Sequence, residues 1–328
     1  MIRVNPLLTI FTPTYNRKHT IRRTYESLCR QTCKDFEWLI IDDGSVDGTR
    51  EWVESLGAKS TTKGRRFDWM GREQDGEDEN HFSINLPDFR LTYIYKPNGG
   101  LYTGYNVAYA TIKTELCVCI DSDDFMPDDA VEKIVGLWTT EGSDKYCGII
   151  GLDIDVTNGT PIGGYFPPEM KEAYRSDLFI NHIHKGDSKE VMRTALMKEV
   201  APQIGFEGEK NFNPSYMLSQ VWDKYPLLVL NSNLCNVEYQ IGGDSMSQGI
   251  FKQYVNSPRS FAKHRILHMR MQRYPYRLKF QAAAHYISSC IISHDRNWLR
   301  NSPRKFTTIT AIPLGIMIYI FIKYKTRS

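Results

Sequence analysis

The sequence lacks the features of a secreted or disulfide-stabilised protein. Its seven cysteines are odd in number and scattered, and no second ligand pair accompanies Cys29 and Cys33 at the spacing that a zinc site needs. Residues 1–8 contain no long apolar run of the kind found in a signal peptide. We therefore expect small buried thiols and a reducing, cytoplasmic setting.

Motifs of several other nucleotide-dependent enzymes are also missing. No GxGxxG segment follows a predicted strand, which disfavours nicotinamide-dependent chemistry. The first predicted strand ends in Thr-Pro-Thr-Tyr-Asn instead of a glycine-rich phosphate loop with a basic residue, which disfavours a sugar nucleotidyltransferase. What remains is an ordinary globular composition, 41% hydrophobic and 24% charged, over 328 residues.

The net charge of +3 conceals an uneven distribution. Residues 257–328 contain 14 Lys or Arg and one acid, Asp295, whereas the preceding chain contains 27 basic and 37 acidic residues. A mildly acidic body with a strongly basic tail predicts a polyanionic partner for the tail. Because no RNA-binding motif accompanies the tail, we expect an anionic membrane surface and no nucleic acid.

The first 150 residues alternate short apolar segments with segments of helical periodicity. This pattern predicts an α/β fold with a mostly parallel central sheet flanked by helices. We interpret the polar residues from about 57 to 90 as an insertion or mobile loop. A catalytic domain is expected over 1–255, with a nucleotide-binding half to about 155 and an acceptor half beyond it. A basic helical extension with an apolar end is expected over 256–328.

Three polar clusters each follow a predicted strand, at residues 12–16, 42–49 and 121–124. Ligands of open α/β sheets bind in the crevice beyond the carboxyl ends of the strands, so we expect the clusters to meet there. Carboxylates such as Asp123 and Asp124 suit a hard divalent cation, Mn²⁺ or Mg²⁺, that also takes phosphate oxygens. Taken singly, each acidic cluster is equally typical of a capped or solvated turn.

The segments TPTYN, LIIDDGSVDGT, KPNGGLYTGYNVAYA and CVCIDSDDFMPDDAV, in this order, resemble the nucleotide-binding half of the family 2 glycosyltransferases, which have the GT-A fold. The resemblance covers about 7–137 and continues more weakly to about 249. It implies a nucleotide-sugar donor bound by Pro13, Tyr15, Asp43, Lys96, Asn98, Gly100, Asn106, Asp121 and Asp123. It also implies a DxD-type metal site at Asp123 and Asp124. Tyr105 stands where many members carry Arg, so a cationic contact there is in doubt.

An inverting member of this family needs a general base for the acceptor hydroxyl. Residues 205–212, GFEGEKNF, resemble the GEK segment of a bacterial polysaccharide-assembly branch and imply Glu209, or else Glu207, as that base. Either acid is alternatively an ion-pair partner of Lys210 or a helix cap. Asp187 is a weaker candidate on the acceptor side, where a turn role is as reasonable.

Residues 306–322 form a run of 17 uncharged residues between basic flanks. As a helix the run would reach about 26 Å, short of the ~30 Å hydrocarbon core of a bilayer. We therefore expect a helix lying in the membrane interface, with a short spanning anchor or a buried helix as alternatives. Residues 238–243 resemble a strand that leads into a flexible loop, which we expect to close over the donor.

Together these features predict an inverting, metal-dependent hexosyl- or N-acetylhexosaminyl-transferase. Its donor is expected to be a nucleotide-sugar, with UDP as the nucleotide. The acceptor is expected to be a hydroxyl of a glycan or lipid-linked oligosaccharide in surface polysaccharide synthesis, at the inner face of the membrane. The alternative is a catalytically inactive scaffold of the same fold that binds a nucleotide-sugar or a glycan.

Overall fold

The computed structural model describes residues 5–60, 64–238 and 249–327. The chain divides into two compact units. The sheet unit comprises Met1–Gln203 and Lys224–Tyr239, and the helical unit comprises Ile204–Asp223 and Gln240–Ser328. The loop that we expected to follow Glu238 lies outside the described residues.

The sheet unit alternates strands with helices, as the hydrophobic pattern predicts. Its strands are β1 Leu8–Thr14, β2 Phe36–Asp42, β3 Gly64–Phe67, β4 Glu73–Asp78, β5 His81–Asn85, β6 Arg90–Tyr95, β7 Leu116–Cys119, β8 Gly148–Asp155, β9 Thr160–Pro161, β10 Glu172–Ala173, β11 Ser188–Arg193 and β12 Leu227–Val237. Its helices are α1 Lys18–Cys29, α2 Thr49–Glu54, α3 Leu101–Thr111, α4 Ala130–Glu141, α5 Arg175–Ile180 and α6 Thr194–Val200.

The main sheet follows the order β10-β12-β8-β11-β7-β1-β2-β6-β5, with β9 paired to β8. The four neighbours β7, β1, β2 and β6 are parallel, and β11 and β5 run antiparallel on either side of them. β1 is buried along its whole length, as expected for a parallel strand covered on both faces. The predicted mostly parallel α/β sheet flanked by helices is confirmed.

The core of the sheet unit lies between these central strands and the helices that cover them. Ile21 and Leu28, seven residues apart, share one face of α1 and are fully buried. They pack into the same cluster as Trp38 and Ile40 of β2. Burying an aliphatic or aromatic side chain of this size stabilises a fold by about 1.5–3 kcal/mol. The motif loops therefore extend from a rigid scaffold.

The segment over residues 57–90, which we interpreted as an insertion or mobile loop, contains regular secondary structure. The segment contains β3, β4 and β5, of which β5 extends the main sheet antiparallel to β6. Phe82 and Ile84 of β5 are buried in the core, while Ser83 between them faces Thr92 of β6. This alternation is the signal of a half-buried strand, but it spans only five residues within a polar stretch.

The helical unit has helices throughout its described residues. They are α7 Ser215–Trp222, α8 Ile250–Asn256, α9 Pro258–Arg270, α10 Tyr276–Ile292, α11 Trp298–Asn301, α12 Lys305–Thr310 and α13 Ile312–Arg327. Its core is formed mainly by α9 and α10 and includes Met269, Ala283, Tyr286 and Ala311. Gly315 lets α13 approach α10 closely, since a Cβ there would lie 2.7 Å from the Ile287 side chain and 2.9 Å from the Ala284 carbonyl oxygen.

The uncharged run over 306–322 is not one continuous helix. α12 ends at Thr310 and α13 begins at Ile312. Pro313, the second residue of α13, lacks an N–H and fits only the first turn of a helix, so a new helix begins here. None of the helices in the described ranges is long and apolar enough to cross a membrane.

Candidate functional site

The first two polar clusters form one wall beyond the ends of β1 and β2. The Asn16 backbone N–H donates to Ser45 Oγ at 2.9 Å, and the Val46 N–H donates to Asn16 Oδ1 at 2.9 Å. The Lys18 N–H donates to Asp47 Oδ2 at 2.9 Å. Asn16 adopts a left-handed conformation with φ of 53°, which Asn tolerates better than most residues. These bonds fix the two loops against each other.

Tyr15 and Pro13, both predicted to line a base pocket, have different surroundings. Tyr15 is half exposed (50%), so one ring surface is available to a ligand. Pro13 is buried under α3, where a Cβ on Gly104 would lie 3.3 Å from the Pro13 Cβ. The structure therefore presents Tyr15 to solvent and uses Pro13 to support α3.

Asp43 organises the segment before α3. Its Oδ1 accepts hydrogen bonds from Lys96 Nζ and from the Gly99 N–H at 2.9 Å. Its Oδ2 accepts from Asn98 Nδ2 at 3.0 Å and from the Gly100 N–H at 2.8 Å. A carboxylate has about four lone-pair sites, so the chain's own donors occupy all of them. A base N–H would have to share or replace one of these bonds.

The structure thus brings four of the predicted donor-site residues together, namely Asp43, Lys96, Asn98 and Gly100, and engages their polar groups with one another. Lys96 is 1% exposed, and besides Asp43 its ammonium donates to the Pro97 carbonyl oxygen at 2.8 Å. Asn106 is 2% exposed, and its amide donates to the Met70 and Gln203 carbonyl oxygens at 2.9 and 3.0 Å. Both residues shape the site without facing solvent.

Asp42, the neighbour of Asp43, has a different role. It is fully buried, accepting from the Ser45 N–H at 2.7 Å and from the Tyr93 hydroxyl at 2.7 Å. Burial raises the pKa of Asp42, while the hydrogen bonds from Ser45 and Tyr93 oppose the shift. Asp42 therefore links the loop over residues 43–49 to β6 through its bonds with Ser45 and Tyr93.

The third cluster follows β7 and is held tightly by its backbone. The Asp124 N–H donates to the Asp121 carbonyl oxygen at 3.0 Å, and Thr24 Oγ1 donates to the Asp124 carbonyl oxygen at 2.7 Å. Arg23 donates to the Asp123 carbonyl oxygen. The Asp124 side chain is buried, whereas Asp121 and Asp123 are partly exposed. The carboxylates therefore stand at fixed positions at different depths.

Sequence reasoning missed Lys189 and Asp153, which lie beside Asp124. Lys189 Nζ is 3.9 Å from Asp124 Oδ2 and 3.7 Å from Asp153 Oδ1. Lys189 on β11 pairs with Gly151 of β8, and Asp153 lies two residues further along the same face of β8. Cys235 of β12 pairs with Asp153, and its Sγ lies 3.7 Å from Asp124 Oδ2. Lys189 of β11, Asp153 of β8 and Cys235 of β12 thus line the buried side of the acidic cluster, which we call its floor.

The electrostatics of this floor follow from burial and crowding of like charges. Burial raises the pKa of Asp124 to about 8, with Asp121, Asp123 and Asp153 raising it further and Lys189 opposing the shift. Burial likewise raises the pKa of Asp153 to about 6. Burial lowers the pKa of Lys189, but the nearby carboxylates outweigh it and hold that pKa well above its ordinary value. The cluster therefore favours additional positive charge.

Carboxylate oxygens are suitable ligands for a hard divalent cation, which keeps waters or substrate phosphates in its other positions. Within residues 5–60, 64–238 and 249–327, no group of three or more His, Cys, Asp or Glu side chains is arranged to hold a metal ion. Asp123 and Asp124 thus suit a cation whose remaining ligands come from water or a substrate. The two carboxylates alone do not enclose an ion.

Asp187 lies near this cluster. Its side chain is exposed, and its backbone carbonyl oxygen is 3.1 Å from His184 Nε2. Its negative charge raises the pKa values of both Asp121 and Asp153. The structure therefore brings the weakest sequence candidate to the rim of the acidic cluster.

Glu209 and Glu207 belong to the helical unit and differ sharply. Glu209 is 4% exposed, and its carboxylate accepts from the Arg259 N–H at 3.1 Å, from Arg259 Nε at 2.9 Å and from the Ser260 N–H at 2.8 Å. It thus caps the first turn of α9 and pairs with Arg259. Glu207 is exposed, and only its carbonyl oxygen is engaged, by Arg259 Nη2 at 2.7 Å, among the contacts of the described chain.

Comparison with known families gives this geometry a context. The sequence profile described as Glycosyl transferase family 2 matches residues 9–71 and 79–198, more than half of the chain. The chain belongs to glycosyltransferase family 2.

Similar proteins in this family include polysaccharide-forming enzymes. A Pasteurella multocida chondroitin synthase is 32% identical over 127 residues, which is 39% of this chain and 10% of that protein. Streptococcus pneumoniae glycosyltransferase GlyA is 23% identical over 279 residues, 84% of this chain and 31% of that protein. The chain thus spans a third or less of the length of these relatives.

The fold is similar to that of a solved structure of comparable size. The crystal structure of S. aureus TarS 1–349 superposes with a TM-score of 0.58 at 16% identity, covering 98% of this chain and 91% of that one. At this identity the likeness concerns the fold alone, and it supports a GT-A-like fold for this family 2 glycosyltransferase.

Proposed function

We propose that this family 2 glycosyltransferase moves a sugar from a nucleotide-sugar to a hydroxyl of a glycan or lipid-linked oligosaccharide, with inversion at the sugar centre. The observation that carries the proposal is the acidic cluster at the carboxyl end of β7, beside the wall formed by the first two motif loops. A nucleotide diphosphate needs both elements: a surface for the base and a place where negative charge is neutralised.

UDP is the proposed nucleotide. Tyr15 offers an exposed ring to a base, and Asp43 is the acceptor for a uracil ring N–H once a donor of the chain makes room. Crystal structures of the similarly folded TarS 1–349 are described as complexes with UDP and with UDP-GlcNAc, at a TM-score of 0.51 and 15% identity. That description belongs to TarS, and we extend it to this chain as part of the proposal.

Asp123 and Asp124 are the proposed holders of a Mn²⁺ or Mg²⁺ ion. When bound, such an ion neutralises the diphosphate that leaves the sugar. The chain's own contribution is positional: Thr24 and the Asp121 carbonyl oxygen fix the Asp124 backbone, and Lys189 and Asp153 set the charge beneath it. Asp121 lies beside the pair and is proposed to face the ribose and diphosphate.

The segment with Glu207 and Glu209 is proposed to supply the general base. Because the contacts of Glu209 with Arg259 and Ser260 engage both of its oxygens, Glu207 is the acid with a carboxylate open to a proton. Glu209 then holds the segment in place. Asp187, at the rim of the acidic cluster, is the proposed contact on the acceptor side.

The basic extension over 256–328 is proposed to hold the enzyme at the inner face of an anionic membrane, where a lipid-linked acceptor is found. Large apolar side chains of α12 and α13 are exposed, among them Phe306 (76%), Met317 (65%) and Tyr324 (70%). Cations lie at both ends of this stretch, and each contributes about 1 kcal/mol near an anionic surface.

The test is a panel of nucleotide-sugars incubated with the full chain and Mn²⁺, with release of the nucleoside diphosphate as the readout. Turnover of one donor in the presence of an acceptor supports the transferase. An inactive scaffold of the same fold would bind a nucleotide-sugar without releasing the diphosphate. Binding without turnover for every donor and acceptor tried would favour that alternative.

A further inference from the structure

Among the described residues, a half-buried arginine of the helical unit, Arg265, makes no ion pair with an acid. Within these residues Arg265 hydrogen-bonds to His268, Nη1 to Nδ1 at 3.4 Å, and its Nε is buried without a hydrogen-bond partner. Two carboxylates of the same unit are engaged elsewhere. Glu209 pairs with Arg259, and Asp223 accepts from the backbone N–H groups of Gln272 and Arg273.

Three histidines lie near Arg265, whose charge acts on each of their rings. His264 and His268 lie one turn apart on α9 with ring centroids 4.5 Å apart, and His285 comes from α10, which packs against α9. His264 Nε2 and His285 Nδ1 are buried, and neither has a hydrogen-bond partner among the described residues. All four side chains are partly exposed, so a ligand can approach them from solvent.

The three imidazole rings share a lowered pKa. Burial and the charge of Arg265 lower the pKa of His268 to about 3 and that of His285 to about 4. Burial, with His268 and Arg265, also lowers the pKa of His264 well below its ordinary value. The rings are therefore neutral at physiological pH, and each keeps one N–H that can donate to an anion.

We propose that Arg265, His264 and His285 form a binding site for a phosphate or diphosphate group. A buried guanidinium nitrogen without a partner is costly, and an anion that pairs with the guanidinium removes this cost. Guanidinium groups bind phosphate oxygens in a bidentate manner, and a tetrahedral phosphate has further oxygens for the imidazole donors. The site lies in the helical unit and does not depend on the proposed transfer reaction.

Titration of the full chain with inorganic pyrophosphate, in EDTA, tests the site through histidine ring ¹⁵N resonances. We expect saturable shifts of the His264 and His285 resonances. Arg265→Gln should weaken pyrophosphate binding about tenfold or more, because a charge-assisted bidentate contact is lost. Arg277→Gln, which removes an exposed charge from α10 of the same unit, should bind as the wild type does.

Stability separates a binding role from a structural one. Because no carboxylate in the described ranges pairs with Arg265, Arg265→Gln should leave the ligand-free melting temperature unchanged or raise it. His285→Gln provides a second variant with weakened binding should Arg265→Gln not fold. Absence of any resonance shift in the wild type, or unchanged affinity in both variants, would overturn the proposal.

A second arm distinguishes the source of the phosphate group. Vesicles of phosphatidylglycerol present it as a lipid headgroup. If the wild type binds these vesicles more tightly than Arg265→Gln and pyrophosphate competes, the site takes a headgroup. If both proteins bind vesicles equally while only the wild type binds pyrophosphate, it takes a soluble diphosphate. Either result supports the site.

Discussion

Asp43→Asn removes the negative charge that holds the segment before α3, and its cost can be worked from the structure. The Lys96 side chain is 0% exposed and that of Asp43 is 8% exposed. Substitution removes the carboxylate that pairs with the buried Lys96 ammonium. Breaking a buried pair in this way costs about 3–5 kcal/mol, and the Gly99 and Gly100 N–H groups also lose a charged acceptor.

Urea-induced unfolding followed by tryptophan fluorescence measures this cost, with Trp38 buried in the sheet unit as a reporter. Asp128→Asn is the matched control, since the Asp128 to Arg30 pair is more than half exposed on both sides and such pairs contribute about 0–1 kcal/mol. The double variant Asp43→Asn with Lys96→Met removes both charges and should recover most of the loss. A cost below about 1 kcal/mol for Asp43→Asn would refute the buried-pair reasoning.

Three further predictions follow from other parts of the molecule. The folded-state pKa values of Asp124 and Asp153, about 8 and about 6, exceed the ordinary value of an aspartate, so the folded state binds more protons than the unfolded state. In EDTA, the free energy of unfolding should therefore fall as the pH rises from about 4 to about 8. Asp124→Asn should flatten the upper part of that slope. A stability that rises over this range would contradict the charge assignment. Gly315→Ala should destabilise the helical unit by about 1–3 kcal/mol through overpacking. The control Gly136→Ala in α4, where a Cβ would have nothing within 4 Å, should be neutral or stabilising. Equal melting temperatures of the two variants would contradict the overpacking and show that α13 can move away from α10. Glu209→Gln should lower the stability of the helical unit by about 1–3 kcal/mol. Glu207→Gln should lower turnover with little change in stability. Full activity in both variants would show that the segment with Glu207 and Glu209 does not supply the general base.

The parts of the site carried by contiguous motifs were predictable from the sequence. Asp43 directly follows one apolar strand and Asp124 lies in the polar segment after another. Because parallel strands end at one edge of a sheet, their placement at that edge follows from local pattern. The donors that fill the lone pairs of Asp43 were not predictable. Gly99 and Gly100 bind Asp43 through their backbone N–H groups. A pattern of side chains does not indicate which backbone groups will bind a carboxylate.

Contacts between residues far apart in the sequence were missed for a physical reason. Lys189 lies 65 positions after Asp124 in the sequence, and it reaches the acidic cluster only because β11 is placed between β7 and β8 in the sheet. Likewise, the partner of Glu209 is Arg259, 50 residues away, and not its neighbour Lys210. An alternating strand of five residues at 81–85 was too short to stand out from the polar segment around it.

Calorimetric binding of UDP in the presence of Mn²⁺ tests the central claim, that the acidic cluster after β7 holds a nucleotide diphosphate through a cation. Asp124→Asn is compared with Asp128→Asn, a nearby exposed acid that pairs with Arg30. The account predicts Mn²⁺-dependent binding in the wild type and in Asp128→Asn, and its loss in Asp124→Asn. Equal UDP affinity in all three proteins, unaffected by EDTA, would contradict it.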